Sequence, residues 1–213
     1  MDSKSESHSN TIIFILGPPG SGKGTLCKLA TDGLRTPDHH YIHLSVGDYL
    51  RELCDPAAAC EVKGFNHDEV REHLRESKLL PADVLIPVLE SKINSTPKEK
   101  NTTTTWLIDG FPRNMETALA FEEKVGKPVK VIALECKREI AEGRFLGRSR
   151  ERTDDVNRFD KRYGEYIENM KAIREHYAEI MDTMETEANV WKNSWWDYDK
   201  ACSGWKGSIA GDS

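Results

Sequence analysis

The stretch that most constrains the fold is TIIFILGPPGSGKGTLCKLA, residues 11–30. A continuous apolar run enters a glycine-rich turn, a lysine follows, and the pattern then becomes helical. Such runs suit strands buried on both faces of a parallel sheet, which needs covering helices. Gly17, Gly20, Gly22 and Gly24 let the backbone come close to a polyphosphate and turn N–H groups toward it. The helix that follows adds the positive end of its dipole. Lys23 adds a full charge able to follow a moving phosphoryl group. The common phosphate-loop pattern, G-x-x-x-x-G-K-[ST], places a hydroxyl directly after the lysine. Here Gly24 holds that place and the hydroxyl arrives at Thr25. The displacement bears on how magnesium is held.

Three more apolar, β-rich runs follow: HYIHLS (40–45), TTTTWLI (102–108) and KVIALE (130–135). Helical segments are predicted between them at 22–33, 66–77, 82–94 and 114–125. The alternation implies an α/β fold of three layers around a central parallel sheet. Ligands in such folds bind outside the carboxyl ends of the strands. From Asp155 to about Glu187 apolar residues recur at spacings of three and four, which predicts one long amphipathic helix. A further strand is expected near Asn189–Trp191.

The length of 213 residues suits one domain with small inserted lobes. We place it at 11–190, with a disordered polar tail at 1–10 and a divergent tryptophan-rich tail at 191–213. A formal net charge of −6 argues against a general nucleic-acid binder. No window approaches the ~20 apolar residues of a membrane span, and the N-terminus MDSKSESHSN lacks the apolar core of a secretory signal. Five scattered cysteines fit reduced thiols in the cytoplasm. Their one close pair, Cys54 and Cys60, has no second pair or histidine at structural-zinc spacing.

Three segments carry further chemistry. In HLSVGDYLREL (43–53) a strand ends at Ser45 and a helix starts near Gly47–Asp48. Asp48 either caps that helix or holds magnesium-bound water, and Arg51 lies one turn on, able to pair with a second phosphate. In WLIDGFPRN (106–114) a buried strand delivers Asp109 to its carboxyl end, where an aspartate can orient magnesium and water. Gly110 and Pro112 form a tight turn that presents Arg113, whose forked guanidinium suits phosphate oxygens. In GRFLGRSRERTDDVNRFDKR (143–162) Arg144 and Arg148 share a helix face. Arg152 follows, and Arg162 lies on the next helix. Phosphoryl transfer needs positive charge around the transferred group, and clustered arginines supply it.

Taken in order, GPPGSGKGT, LSVGDYLRE, KLLPADVLIPVLESKI, WLIDGFPRN and RTDDVNRFDKR resemble the nucleoside monophosphate kinase family, the adenylate kinases and UMP/CMP kinases. The resemblance covers about residues 11–180, and the family's own loop reads GKGT. It implies a P-loop fold with a helical monophosphate-binding insertion at about 45–80 and a very short lid at about 148–153. It implies transfer of the ATP γ-phosphate to a nucleoside monophosphate, with Mg2+. Gly17, Pro18, Pro19, Gly20, Ser21, Gly22, Lys23, Gly24 and Thr25 would hold the ATP phosphates, and Arg144 would lie against the adenine. Ser45, Arg51, Gly110 and Thr117 would line the monophosphate site, with the backbone around Lys78 and Leu80 near its base, and Arg113 would grip the acceptor phosphate. Lys23, Arg113, Arg148, Arg152 and Arg162 would act on the phosphoryl group, with Arg158 as the substitute for Arg162. Asp48 and Asp109 would hold magnesium through water. The protein is expected to be a cytoplasmic monomer that binds small nucleotides.

The sequence departs from the family where the base is read. Adenylate kinases carry glutamine, and UMP/CMP kinases asparagine, four residues after the arginine of DGFPR; here that position is Thr117. After Ser45 stands Val46, where many adenylate kinases have threonine and UMP/CMP kinases alanine. The missing glutamine and hydroxyl lean toward a pyrimidine acceptor, with AMP as the alternative. A nucleotide-binding relative without turnover is the competing class, and Lys23, Arg113, Arg148 and Arg152 are the residues that argue for an enzyme.

Overall fold

The computed structural model describes residues 10–55, 62, 65–97, 102–147 and 155–186. The expected tails at 1–10 and 191–213, the strand near 189–191 and the lid at 148–153 lie almost wholly outside these residues.

Each apolar run forms a strand. β1 (Thr11–Leu16), β2 (His39–Ser45), β3 (Thr103–Asp109) and β4 (Lys130–Glu135) are joined by β5 (Met181–Glu185). All pair in parallel, in the order β2-β3-β1-β4-β5. β1 is thus central, and its carboxyl end is where the chain turns to either side, the usual crevice of an α/β sheet.

Strand side chains alternate between faces, and here both faces are covered. Ile12, Phe14 and Leu16 enter one core with Trp106, Ile108, Val131 and Ala133. Ile13 and Ile15 enter the other with Leu107, Ile132 and Leu134. The helix α1 (Lys23–Gly33) covers the second face through Leu26, Cys27 and Ala30. The first face is covered by α2 (Val46–Leu53), α3 (His67–Glu76), α4 (Ala82–Ser95), α5 (Met115–Lys124) and residues of α7 (Val156–His176). Between β4 and α7 lies α6 (Arg138–Gly147), which packs on α7 through Ala141, Phe145 and Phe159. The continuous runs are explained: a strand buried on both sides cannot afford a polar face.

An aromatic cluster ties the central strand to the site. Phe14 meets Phe111 and Phe121 at 5.3 Å and Tyr177 at 5.8 Å, each near edge-on. Edge-on pairs add roughly 0.5–1.5 kcal/mol each beyond area burial. Phe111 directly follows Asp109–Gly110, so its burial pins the turn that carries Arg113.

Two expectations are corrected. The helix predicted to run from Asp155 to about Glu187 ends at His176; a 3-10 turn follows at Ala178–Ile180, and Met181–Glu185 is the edge strand β5. Ile180, Met181 and Met184 mimic a helical spacing, but pairing with β4 overrides it. The second correction concerns Asp48. The helix α2 begins at Val46, so Ser45 occupies the N-cap position and Asp48 lies inside the first turn. Among the described residues no helix is long and apolar enough to cross a membrane.

Candidate active site

The glycine loop leaves β1 and closes on itself. Ser21 N–H donates to the Pro18 carbonyl at 3.1 Å, and Ser21 is fully buried. Gly20 sits at φ +82°, and a Cβ there would stand 1.9 Å from the backbone oxygen of Ala141 in α6. No side chain fits that approach, so glycine is required. Gly22, at φ 95°, opens α1, whose first turn carries no acidic residue. The helix therefore presents its unneutralised positive end to the loop. Lys23 Nζ donates to the carbonyls of Gly17 (2.8 Å) and Pro18 (3.0 Å). It is thereby held over the loop that the sequence assigns to phosphate.

The neighbouring strands deliver the second set. Ser45 and Asp109 are register partners at the ends of β2 and β3. Ser45 Oγ donates to Asp48 Oδ2 at 2.6 Å, and Arg51 pairs with the same carboxylate. That places Asp48 as the anchor of Ser45 and Arg51. Arg113 Nε donates to the Gly110 carbonyl at 3.2 Å. A Cβ on Gly47 would lie 3.5 Å from one Arg51 nitrogen and 3.9 Å from one of Arg113, so the two guanidiniums converge over Gly47. Arg113 remains solvent-exposed, with the carboxylates of Glu165 and Asp109 and the Arg51 guanidinium acting on its charge. Guanidinium stays charged regardless.

From the other side, α6 and α7 supply Arg144 and Arg162. Arg144 donates to the Thr186 carbonyl at 3.2 Å, and Arg162 stands 5.7 Å over the Phe145 ring. Arg162, not its substitute Arg158, lines the cleft. Arg158 instead donates to the Leu74 carbonyl at the end of α3 (3.3 Å).

These groups enclose one cleft of about 350 Å³. Among the described residues Lys23, Arg51, Arg113, Arg144 and Arg162 line it, with two carboxylates, Asp109 and Glu165. A chain of net charge −6 has thus gathered five cations around one space. Such an excess costs repulsion and persists only where an anion offsets it. The cleft fits a polyphosphate facing a second phosphate.

Other expected residues fall outside that lining. Lys78 pairs with Glu76 at 2.6 Å on the surface. Leu80 is buried, and its neighbour Leu79 lines the cleft instead. Thr117 is 4% exposed. Its hydroxyl lies 2.7 Å from Asn114 Oδ1, within the N-cap of α5. Arg148 and Arg152 lie outside the described residues. Sequence reasoning missed Glu165, Tyr166 and Met170, which line the cleft from α7. Burial raises the Glu165 pKa, opposed by Arg113, Lys161 and Arg162. The signal was available in the sequence: Arg162, Glu165 and Tyr166 share one helical face at spacings of three and four.

Comparison with known proteins decides the family. The family model described as adenylate kinase matches residues 15–181. A UMP-CMP kinase of Lentinula edodes is 32% identical over 191 residues, covering 84% of this chain and 79% of that protein.

The chain belongs to the nucleoside monophosphate kinase family.

UMP-CMP kinase 3 of Arabidopsis thaliana is 35% identical over 169 residues, covering 78% of this chain and 76% of its own. An adenylate kinase of Nautilia profundicola is 31% identical over 172 residues, covering 78% and 82%. As a member of this family the protein is a phosphotransferase. The GKGT form of its loop is therefore the family's own, and Gly24 is no defect of the motif.

Proposed function

We propose that the protein transfers the γ-phosphate of ATP to a pyrimidine nucleoside monophosphate, UMP or CMP, in the cytoplasm. The observation that carries the reading is the meeting of two phosphate-binding sets in one cleft. Residues of the loop 17–25, Lys23 among them, line it together with Arg51, Arg113 and Arg162.

Catalysis on this reading is positioning and charge neutralisation. The loop N–H groups and the α1 terminus hold the donor phosphates. Arg113 and Arg51 hold the acceptor phosphate in line with them. Lys23 leaves the loop carbonyls for the phosphoryl oxygens, exchanging one set of acceptors for a charged one. Arg162 faces the charge that spreads over the transferred group.

The donor set also fits magnesium. Asp109 and Thr25 both line the cleft, and Asp109 offers the hard oxygens this ion would take through water. Asp48 is engaged with Ser45 and Arg51, so we assign Asp109 the principal role. Magnesium held there would supply positive charge to offset that of the donor phosphates.

The acceptor base follows from two supports. Glutamine is absent at Thr117, whose hydroxyl already serves Asn114. Three relatives named UMP-CMP kinase are 32–35% identical to this chain. Equilibrium titration with each monophosphate tests the reading. UMP and CMP should bind more tightly than AMP, and Arg113→Ala should weaken monophosphate binding while leaving ATP binding intact. Equal loss of both nucleotides in Arg113→Ala would contradict the assignment.

A further inference from the structure

The face of the sheet beneath the cleft holds a second constellation, which shares Asp109 with the cleft and adds Cys27 and His43, two residues the proposed phosphoryl transfer does not use. His43 and Asp109 project from β2 and β3 toward the layer of α1. The register pairs His43 with Leu107 and Ser45 with Asp109, so His43 is diagonal to Asp109. His43 Nε2 lies 3.4 Å from Asp109 Oδ2. Cys27 reaches the same point from the buried face of α1, within the core that also holds Leu107. The thiol sulfur, imidazole nitrogen and carboxylate oxygen all lie within 4.8 Å of one another.

We propose that Cys27, His43 and Asp109 form an inhibitory binding site for zinc or a similarly soft divalent ion. The donor types argue for this chemistry. Zinc takes thiolate, imidazole and carboxylate together, whereas magnesium takes oxygen and rejects sulfur. Ligand atoms around tetrahedral zinc stand roughly 3.3–3.7 Å apart, given bond lengths of 2.0–2.3 Å. The observed spread requires side-chain shifts of about 1 Å or less to close on the ion. Asp109 also lines the nucleotide cleft, so an ion would reach the three donors from there. The Cys27 side chain is fully buried, and burial pushes its thiol well above the usual range. Binding therefore displaces the thiol proton to solvent as the S–metal bond forms.

The consequence joins two metals through one carboxylate. An ion held by Cys27 and His43 takes Asp109, the group assigned to the water shell of nucleotide magnesium. Turnover falls although no nucleotide contact is lost. This inhibitory half rests on the proposed role of Asp109; the binding half does not. The competing reading makes Cys27 an ordinary core cysteine and His43 a partner that only orients Asp109.

The test uses the full chain without nucleotide. Cobalt(II) titration should produce a near-ultraviolet thiolate-to-cobalt band that zinc abolishes. Cys27→Ala should remove the band and weaken zinc binding by ~10-fold or more, read by competition with a chromophoric chelator. His43→Gln, at a partly exposed side chain, should keep the band and weaken zinc by about tenfold, the lower end of what perturbing a metal site costs. It carries the test if the buried variant folds poorly. In a coupled assay with saturating magnesium and ATP, zinc should inhibit the wild type. Cys27→Ala should keep magnesium-dependent turnover and tolerate ~10-fold more zinc. A band that persists in Cys27→Ala, or unchanged zinc affinity in both variants, overturns the site. Unchanged zinc inhibition in Cys27→Ala overturns the inhibitory role. Absence of turnover in the wild type would count against the kinase reading and leave the binding result intact.

Discussion

Ser45 and Asp109 stand side by side at the carboxyl ends of adjacent parallel strands. Sixty-four positions of chain separate them by number, yet the register makes them neighbours. The loop after β1 lies next to them, because β1 pairs with β3. One sheet edge thus brings the glycine loop, Arg51 and Arg113, and Asp109 together.

Lys23→Ala removes a charge held directly over the glycine loop. Turnover should fall by ~10²–10³, the usual cost of losing an electrostatic group that acts on the transition state. The far-ultraviolet spectrum should stay that of the wild type. Near-normal turnover would remove Lys23 from the mechanism.

Arg162 and Arg158 lie on one helix and should behave differently. Arg162→Ala should lower turnover by about 10², since Arg162 lines the cleft. Arg158→Ala should chiefly lower the melting temperature, since Arg158 donates to the end of α3. Turnover and melting measured on both variants would reveal a reversal.

Much of this arrangement was legible in the chain. Four strands showed as apolar, β-rich runs, most plainly β1 and β4, whose two faces are both covered. Lys23, Asp109 and Arg113 showed because each follows such a strand. What stayed hidden depended on pairing between distant segments. β5 read as helix, since Ile180, Met181 and Met184 keep a helical spacing and only β4 makes them a strand. Cys27, His43 and Asp109 share no local pattern; the sheet register and the seat of α1 bring them together. Asp48 read as a helix cap or as a holder of magnesium-bound water, and its contacts with Ser45 and Arg51 were not foreseen.

Asn114 caps α5 and also accepts the Thr117 hydroxyl. Asn114→Ala should cost about 1 kcal/mol, which lowers the melting temperature by about 2–4 °C in a chain of this size. Asn114→Asp keeps an acceptor and should lose little. Equal melting of all three proteins would count against the cap.

The edge strand β2 carries a pH response. His39 lies 2.8 Å from Thr105 Oγ1 and stacks on Tyr41. Burial, and then neighbouring His40, lower its pKa from the ordinary value of 6.5. The unfolded chain therefore binds the proton more readily than the folded one. His39 contributes stability that is fully present above about pH 6.5 and is lost as pH falls toward the folded pKa. Denaturation at several pH values should show a shallower acid slope in His39→Gln; identical slopes would exclude His39 as the cause.

The central claim is that the cleft passes a phosphoryl group from ATP to a pyrimidine monophosphate. A coupled ADP-release assay with ATP and magnesium, supplied in turn with UMP, CMP, AMP and GMP, tests it most directly. The account predicts rapid ADP release with UMP and CMP and a much lower rate with AMP and GMP. Release fastest with AMP, or no release above background with any acceptor, would contradict it.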